Sequence, residues 1–228
     1  MRVDWLILVV SIGLLGSLQV RGGRAEPGGG RHAVPTEHPR LLGSRQELKD
    51  LAQARREAYT RMADVARKQD AGDYEKLIAG ALASAVEGDA DLGRQVVDRA
   101  LKFVNGPIRK GHTPFATDLA LCGLAYDLCY EAWTAQEREQ FHSYLNKTVD
   151  ENVDSETHVF HNGWYGYKNW GIGIACYATY YENPQAKEIL ATLFEDYRTR
   201  AAPALELAGD GGGWAEIAIR RYRRDAYS

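Results

Sequence analysis

Apolar residues recur at intervals of three and four along most of the chain, the spacing of one face of an α-helix. The pattern predicts seven helices, at about residues 44–68, 73–88, 90–104, 114–130, 134–149, 170–181 and 184–205. Capping signals support these bounds. Ser44 with Glu47 and Thr134 with Glu137 form capping boxes, and Gly88 ends the second helix. No segment alternates apolar and polar residues as a strand does, so the predicted fold class is all-α, built from antiparallel helix hairpins.

Two predicted helices are apolar on more than one face. The helix from Phe115 to Tyr130 is apolar nearly all round and is expected to be the most buried. The segment from Trp170 to Tyr181 has a similar composition, and Asn169 before it is a candidate N-cap. Asp73 is expected to cap the second helix in the same way.

The first residues have the pattern of an export signal. Arg2 precedes a near-continuous apolar run from Trp5 to Leu18, which is short for a membrane span and typical of a signal peptide. Small residues before Ala25 indicate cleavage after it. The predicted organisation is a signal peptide at 1–25, a flexible Gly- and Pro-rich segment at 26–43, a helical domain at 44–216 and a tail at 217–228. The expected location is secreted or periplasmic.

Charge and cysteine content narrow the function classes. A net charge of −3 and a pI near 6.1 argue against an electrostatic nucleic-acid binder. No Cys or His cluster has zinc spacing, and neither a metal nor a cofactor is expected. Cys122 and Cys129 would lie about 10 Å apart on one helix, too far for a disulfide. Either could meet Cys176 across a helix interface, but three small buried thiols are the preferred interpretation.

The most unusual segment is HVFHNGWYGYKNW, from His158 to Trp170. Aromatic rings stack on sugars or other flat ligands, while Asn, His and Tyr side chains bind carboxylates or transfer protons. The alternative is a crossover between helices that is packed by its own rings. A rigid aromatic loop would also position a site, so the two interpretations are compatible.

Three segments, in this order and with matching separations, resemble exported polysaccharide lyases of the heparinase II/III and alginate-lyase-like type. They are HPRLLGSRQELKDL from His38, HNGWYGYKNWGIGIACYATYYENPQA from His161, and GDGGGWAE from Gly209. The resemblance covers roughly residues 38–216. It implies an incomplete α/α toroid, a ring of antiparallel helix hairpins whose centre holds an acidic polysaccharide.

The chain departs from this family after Glu216. Family members continue with a glycine and a Tyr-rich stretch, whereas here Ile217 and an Arg-rich tail follow. The resemblance therefore implies a partial toroid domain, an aberrant or truncated tail, and weak or absent activity for this chain as it stands. An open ring would also leave apolar helix faces exposed.

The implied reaction is β-elimination on a uronic-acid glycan. The enzyme must neutralise the sugar carboxylate, remove the C5 proton and protonate the leaving oxygen. Asn169 is the predicted carboxylate donor, by its match to the N-W motif; its alternative role is a helix cap alone. The other candidate catalytic residues are His161, Asn162, Tyr165 and Tyr167. The candidate substrate-binding residues are Trp164, Trp170, Trp214 and Glu216.

Two other functions stay open. A glycoside hydrolase on the same kind of helical toroid would need two carboxylates in the cleft, and Asp210 with Glu216 is the suggestive pair. The loop from His158 to Trp170 contains no acid, which favours elimination. A non-enzymatic helical glycan-binding module is the third hypothesis. The expected partner is an acidic polysaccharide, with no nucleic acid and, after signal cleavage, no membrane.

We predict that Met1–Ala25 is removed during export. The apolar run is too short to favour a membrane anchor, and small residues precede the expected cleavage site. The intact mass of the protein recovered from its native host tests this prediction. A retained N-terminus would instead indicate an uncleaved anchor.

Overall fold

The computed structural model describes residues 33–110, 114–152 and 169–209, and the regular structure in these ranges is helical throughout. The α-helices are α1 Arg45–Ala54, α2 Arg56–Arg67, α3 Asp73–Glu87, α4 Ala90–Val104, α5 Pro114–Leu128, α6 Ala135–Asn152, α7 Asn169–Ala178, α8 Ala186–Asp196 and α9 Ala202–Gly209. A 3-10 turn, Tyr130–Ala132, follows α5, and a π-helical turn, Tyr197–Ala201, joins α8 to α9. The predicted all-α class is confirmed.

Most helix ends follow the local capping signals. The Ser44 hydroxyl accepts from the Glu47 amide, and the Glu47 carboxylate accepts from the Ser44 amide at 2.8 Å. Gly88 ends α3 with φ of 72°, a left-handed conformation that glycine adopts at little cost. The prediction that Asp73 caps α3 is wrong by one residue, because Gly72 occupies the cap position and Asp73 is the first helical residue.

The first predicted helix is broken in two. At Arg55 the backbone leaves the helical region, with φ of −124° and ψ of 46°, and α2 starts at the next residue. Both α1 and α2 contact α3, so the bend wraps one continuous segment around that helix. The last predicted helix also differs, since it begins at Ala186 rather than at Pro184 and passes through the π-helical turn.

Helices α3 to α6 form two hairpins. Gly80 of α3 faces Val96 of α4, and Ser84 faces Gly93, so these two helices run in opposite directions. Tyr126 near the end of α5 contacts Phe141 near the start of α6, while Glu151 at the end of α6 pairs with Lys110, which precedes α5. The hairpin expectation therefore holds for these pairs.

The core is built around α5. Every residue of α5 is buried except Pro114 and Thr117, which confirms that it is the most buried helix. Its neighbours are α3, α4, α6 and α7. The three cysteines Cys122, Cys129 and Cys176 lie in this core as free thiols, as expected, and burial raises the pKa of Cys129 and of Cys176 to about 12.

Helices α5 and α7 run in the same direction in close contact. A Cβ atom added at Gly171 would lie 2.1 Å from the Ala116 carbonyl oxygen, and one added at Gly123 would lie 2.9 Å from the Ala175 Cα. Such distances require glycine, because any side chain would overlap the opposing backbone. The start of α7 is therefore fixed against the start of α5.

We predict that Gly171→Ala lowers the free energy of unfolding by roughly 2 kcal/mol, because the added methyl group meets backbone that cannot move aside. Gly173→Ala is the matched control on the same helix. Nothing lies within 4 Å of a Cβ added there, so the helix propensity of alanine should raise stability by up to about 1 kcal/mol. Urea unfolding of both variants measures the difference. Equal changes in the free energy of unfolding for Gly171→Ala and Gly173→Ala would contradict the close contact between α5 and α7.

Candidate functional site

One end of the bundle carries both attachment points of the predicted aromatic loop. α6 ends at Asn152 and α7 begins at Asn169. The starts of α3 and α5 lie at the same end, since the Tyr74 hydroxyl donates to Asp118 at 3.2 Å and Gly171 touches Ala116. We call this the loop end of the bundle.

The structure positions only part of the predicted site. Asn169 is the first residue of α7, so the prediction that it caps this helix is wrong by one residue; Trp170 beside it is half-buried. The other candidates lie outside the described residues, namely His161, Asn162, Trp164, Tyr165, Tyr167, Trp214 and Glu216.

Basic side chains that sequence reasoning missed surround the loop end. The Arg109 guanidinium donates to the buried Asp118 carboxylate at 2.6 Å, to the Pro114 carbonyl at 3.0 Å and to the Tyr74 hydroxyl. Arg109 is 41% exposed, so it is anchored on its inner side and open to solvent on the other. Burial and then the negative charge of Asp118 raise the pKa of Tyr74, which keeps the phenol protonated.

Two lysines extend this basic surface. Lys110 donates to the Glu151 carboxylate at 2.6 Å, and Lys147 lies 3.8 Å from the same side chain. The hydrogen bond from Lys110 lowers the pKa of Glu151, so this carboxylate stays ionised. Together, these three cations lie beside Asp118 and Glu151, and the exposed Asp150 adjoins Glu151, so this end carries charges of both signs.

The opposite end of the bundle contains a second polar cluster, formed by His38, Arg40, Asp127 and Glu182, which we call the His38 network. Asp127 is fully buried and accepts from His38 Nδ1 at 2.6 Å, from the Arg40 amide at 3.0 Å and from the Leu41 amide at 2.9 Å. These bonds fix the segment that includes the cis peptide between His38 and Pro39 against the end of α5.

Glu182 completes the His38 network from the turn after α7. Its carboxylate accepts from Arg40 Nη2 at 2.8 Å and from Nη1 at 3.2 Å. Burial alone would raise the pKa of Glu182, but hydrogen bonds from His38 and Arg40 outweigh it and lower the pKa to about 2. The ion pair is therefore present throughout the neutral range.

The protonation of His38 is set by competing neighbours. Its Nε2 lies 2.7 Å from Arg40 Nη2, a donor, and 3.3 Å from Glu182 Oε1, an acceptor. A neutral ring accepts from Arg40, whereas a protonated ring donates to Glu182. Burial lowers the pKa of His38, yet hydrogen bonds to Asp127 and Glu182 outweigh burial and raise the pKa above 6.5.

The His38 network resembles a catalytic His–Asp pair, but its surroundings are closed. The His38 side chain is 5% exposed and stacks on Tyr130 with ring centroids 3.9 Å apart. Next to it, Tyr126 and His142 share a buried hydrogen bond of 3.0 Å, and burial lowers the pKa of His142. Among the described residues, the packing around His38 leaves its side chain almost fully covered, and the network fastens the segment from His38 to Leu41 against the end of α5.

The described residues contain neither a metal site nor a membrane span. Among them, no three His, Cys, Asp or Glu side chains are placed to hold a metal ion. Within the same ranges, no helix is both long enough and apolar enough to cross a bilayer.

The chain matches no protein-family model, no curated protein and no solved structure in the corresponding comparisons. Inference about function therefore depends on the chemistry of its own residues.

We predict that Glu182→Gln lowers the free energy of unfolding by roughly 3 kcal/mol at pH 7, because it leaves the buried Arg40 charge unpaired. Since the pKa of Glu182 is lowered from 4.5 to about 2, its contribution is complete above pH 4.5 and is lost as the pH falls towards 2. The difference in the free energy of unfolding between wild type and Glu182→Gln should therefore shrink as the pH falls from 4.5 towards 2.

The matched control is Glu131→Gln. Glu131 pairs with Arg45 but is 65% exposed, so its loss should cost less than about 1 kcal/mol. Urea unfolding at a series of pH values gives both differences. A gap for Glu182→Gln that stays constant from pH 7 to pH 2.5 would contradict the assigned pKa.

Proposed function

We propose that the described helices are part of an α/α toroid and that the protein acts on uronic-acid glycans by β-elimination. The order of the helices supports the toroid. Helices α3, α5 and α7 lie side by side and run the same way, with Ser84 beside Cys129 and Gly123 beside Ala175, and α4 and α6 return between them. An inner row of parallel helices with returning outer helices is the repeat of such a ring.

The observation that carries the functional proposal is the position of the loop end. The aromatic, His- and Asn-rich segment between Asn152 and Asn169 attaches where Arg109 and Lys110 present cationic groups. Arg109 and Lys110 are cationic groups at this end that can pair with the carboxylates of a polyanion. A linear uronate carries one carboxylate per sugar, so it is the class of glycan that this charge attracts.

The loop residues supply the groups that elimination requires. In the proposed mechanism, the Asn169 amide donates to the sugar carboxylate and stabilises the enolate-like state that forms when the C5 proton leaves. His161 or Tyr165 removes that proton, and Tyr167 returns a proton to the departing glycosidic oxygen. Asn162 assists in carboxylate binding, while Trp164, Trp170 and Trp214 provide stacking surfaces and Glu216 a polar contact.

The carboxylates of the loop end favour elimination over hydrolysis. A glycosidase needs one acid with a raised pKa and a second carboxylate across the cleft. Asp118 is held by Arg109, and Lys110 lowers the pKa of Glu151. Asp118 is only 2% exposed and Glu151 stays ionised, so neither of these two described acids can serve as the proton donor.

We predict that, in a form of the protein that is active on a uronate polymer, Asn169→Ala lowers kcat for the release of unsaturated, ultraviolet-absorbing oligosaccharides by roughly 10²–10³-fold. The expected loss of stability is at most about 1 kcal/mol, because Asn169 lies in the first turn of α7. Assays on polygalacturonate, alginate and heparan sulfate measure the turnover.

Gln46→Ala removes an exposed amide on α1, far from the loop, and serves as the control with unchanged turnover. New reducing ends without ultraviolet absorbance would identify a hydrolase instead. Equal turnover of wild type and Asn169→Ala would show that Asn169 takes no part in catalysis.

A further inference from the structure

Three tyrosines form an aromatic surface at the carboxyl end of α7, away from the loop end. Tyr177 and Tyr180 have nearly parallel rings, 16° apart, with centroids separated by 6.3 Å. Tyr181 meets Tyr180 edge-on at 5.0 Å and is 45% exposed, while the other two are half-buried. We call these three residues the tyrosine platform.

A lysine lies over this platform. The Lys187 ammonium, at the start of α8, is 5.1 Å from the Tyr180 ring centroid and 5.4 Å from that of Tyr181. Lys187 is solvent-exposed and makes no ion pair within the part of the chain that the structure describes. Its charge is therefore held in place by the two rings without being neutralised by a carboxylate.

The platform is fixed before any ligand arrives. The Tyr181 hydroxyl donates to the Val34 carbonyl at 2.7 Å, and the Arg40 guanidinium carbon lies 5.3 Å from the Tyr181 ring. The turn is also tied to α6, because the side-chain amides of Asn183 and Asn146 exchange hydrogen bonds of 2.8 and 3.3 Å. A pre-ordered surface loses little conformational freedom on binding.

We propose that the tyrosine platform and Lys187 bind a sugar unit of an acidic oligosaccharide. The C–H face of the sugar ring packs against the exposed Tyr181 side chain, and its carboxylate pairs with the neighbouring Lys187 ammonium. An aromatic face beside an unneutralised cation matches a ligand that is apolar on one side and anionic at its edge. The choice of a uronate over another flat anion rests on the proposed function.

This site is separate from the loop end. Nine helical steps, or about 14 Å, separate Asn169 from Ala178 at the end of α7, and Tyr180 lies beyond it in the following turn. Binding at the platform should therefore be measurable whether or not the loop catalyses a reaction.

Titration calorimetry with trigalacturonate tests the proposal, with maltotriose as the neutral ligand of similar size. We expect trigalacturonate to bind and maltotriose to bind at least about tenfold more weakly. Lys187→Gln and Tyr181→Ala should each weaken trigalacturonate binding about tenfold or more. Tyr181→Phe keeps the ring and should stay within about threefold of wild type. Lys49→Gln, an exposed lysine on α1, should leave binding unchanged.

Three results would overturn the proposal: no binding of trigalacturonate, equal binding of both trisaccharides, or unchanged affinity in Lys187→Gln. Sedimentation at several protein concentrations adds a fourth. If wild type self-associates and Tyr181→Ala does not, the platform is a contact between two copies. Asn169→Ala separates this proposal from the catalytic one, because it should abolish elimination and leave platform binding intact.

Discussion

The rest of the structure depends on α5, which is buried on all sides and carries two buried carboxylates, Asp118 and Asp127. Asp118 lies near the start of α5, where the helix dipole favours negative charge, and Arg109 pairs with it. Asp127 is the penultimate residue of α5, where the helix dipole is unfavourable for a negative charge. Its carboxylate accepts hydrogen bonds from two backbone amides and from the His38 ring. Each buried acid thus fixes one segment of chain against an end of the same helix.

Features with local causes could be predicted from the sequence. Both bounds of α4 agree with expectation, because Asp89 before it and the Asn-Gly-Pro segment after it act on adjacent backbone. The break at Arg55 could not be predicted, since neither glycine nor proline marks it and contact with α3 determines it. The His38 network was missed for a similar reason: its partners are 89 and 144 residues away from His38.

The candidate site was also predicted only where its features have local causes in the sequence. The N-W pair indicated the start of α7 to within one residue, since Asn169 is the first helical residue rather than the cap. The clustering of basic side chains at the loop end could not be predicted from the sequence, because Lys110 contacts Glu151 only after α5 and α6 fold into a hairpin. The exposure of the tyrosine platform was also missed. The apolar pattern runs on to Tyr181, whereas α7 ends at Ala178 and its following turn presents the rings at the surface.

The contact between α5 and α7 links the two proposed sites. Because the backbone of Gly171 lies directly against Ala116, and Gly123 lies against Ala175, α7 cannot slide or rotate without moving the core. The helix therefore fixes the separation between Asn169 and the residues at its carboxyl end, at about 14 Å from Asn169 to Ala178. A single sugar ring is far shorter than this, so a ligand that reaches both ends of α7 must be an oligomer. A rigid helix with a reactive loop at one end and a stacking surface at the other would favour long polyanionic chains over their monomers.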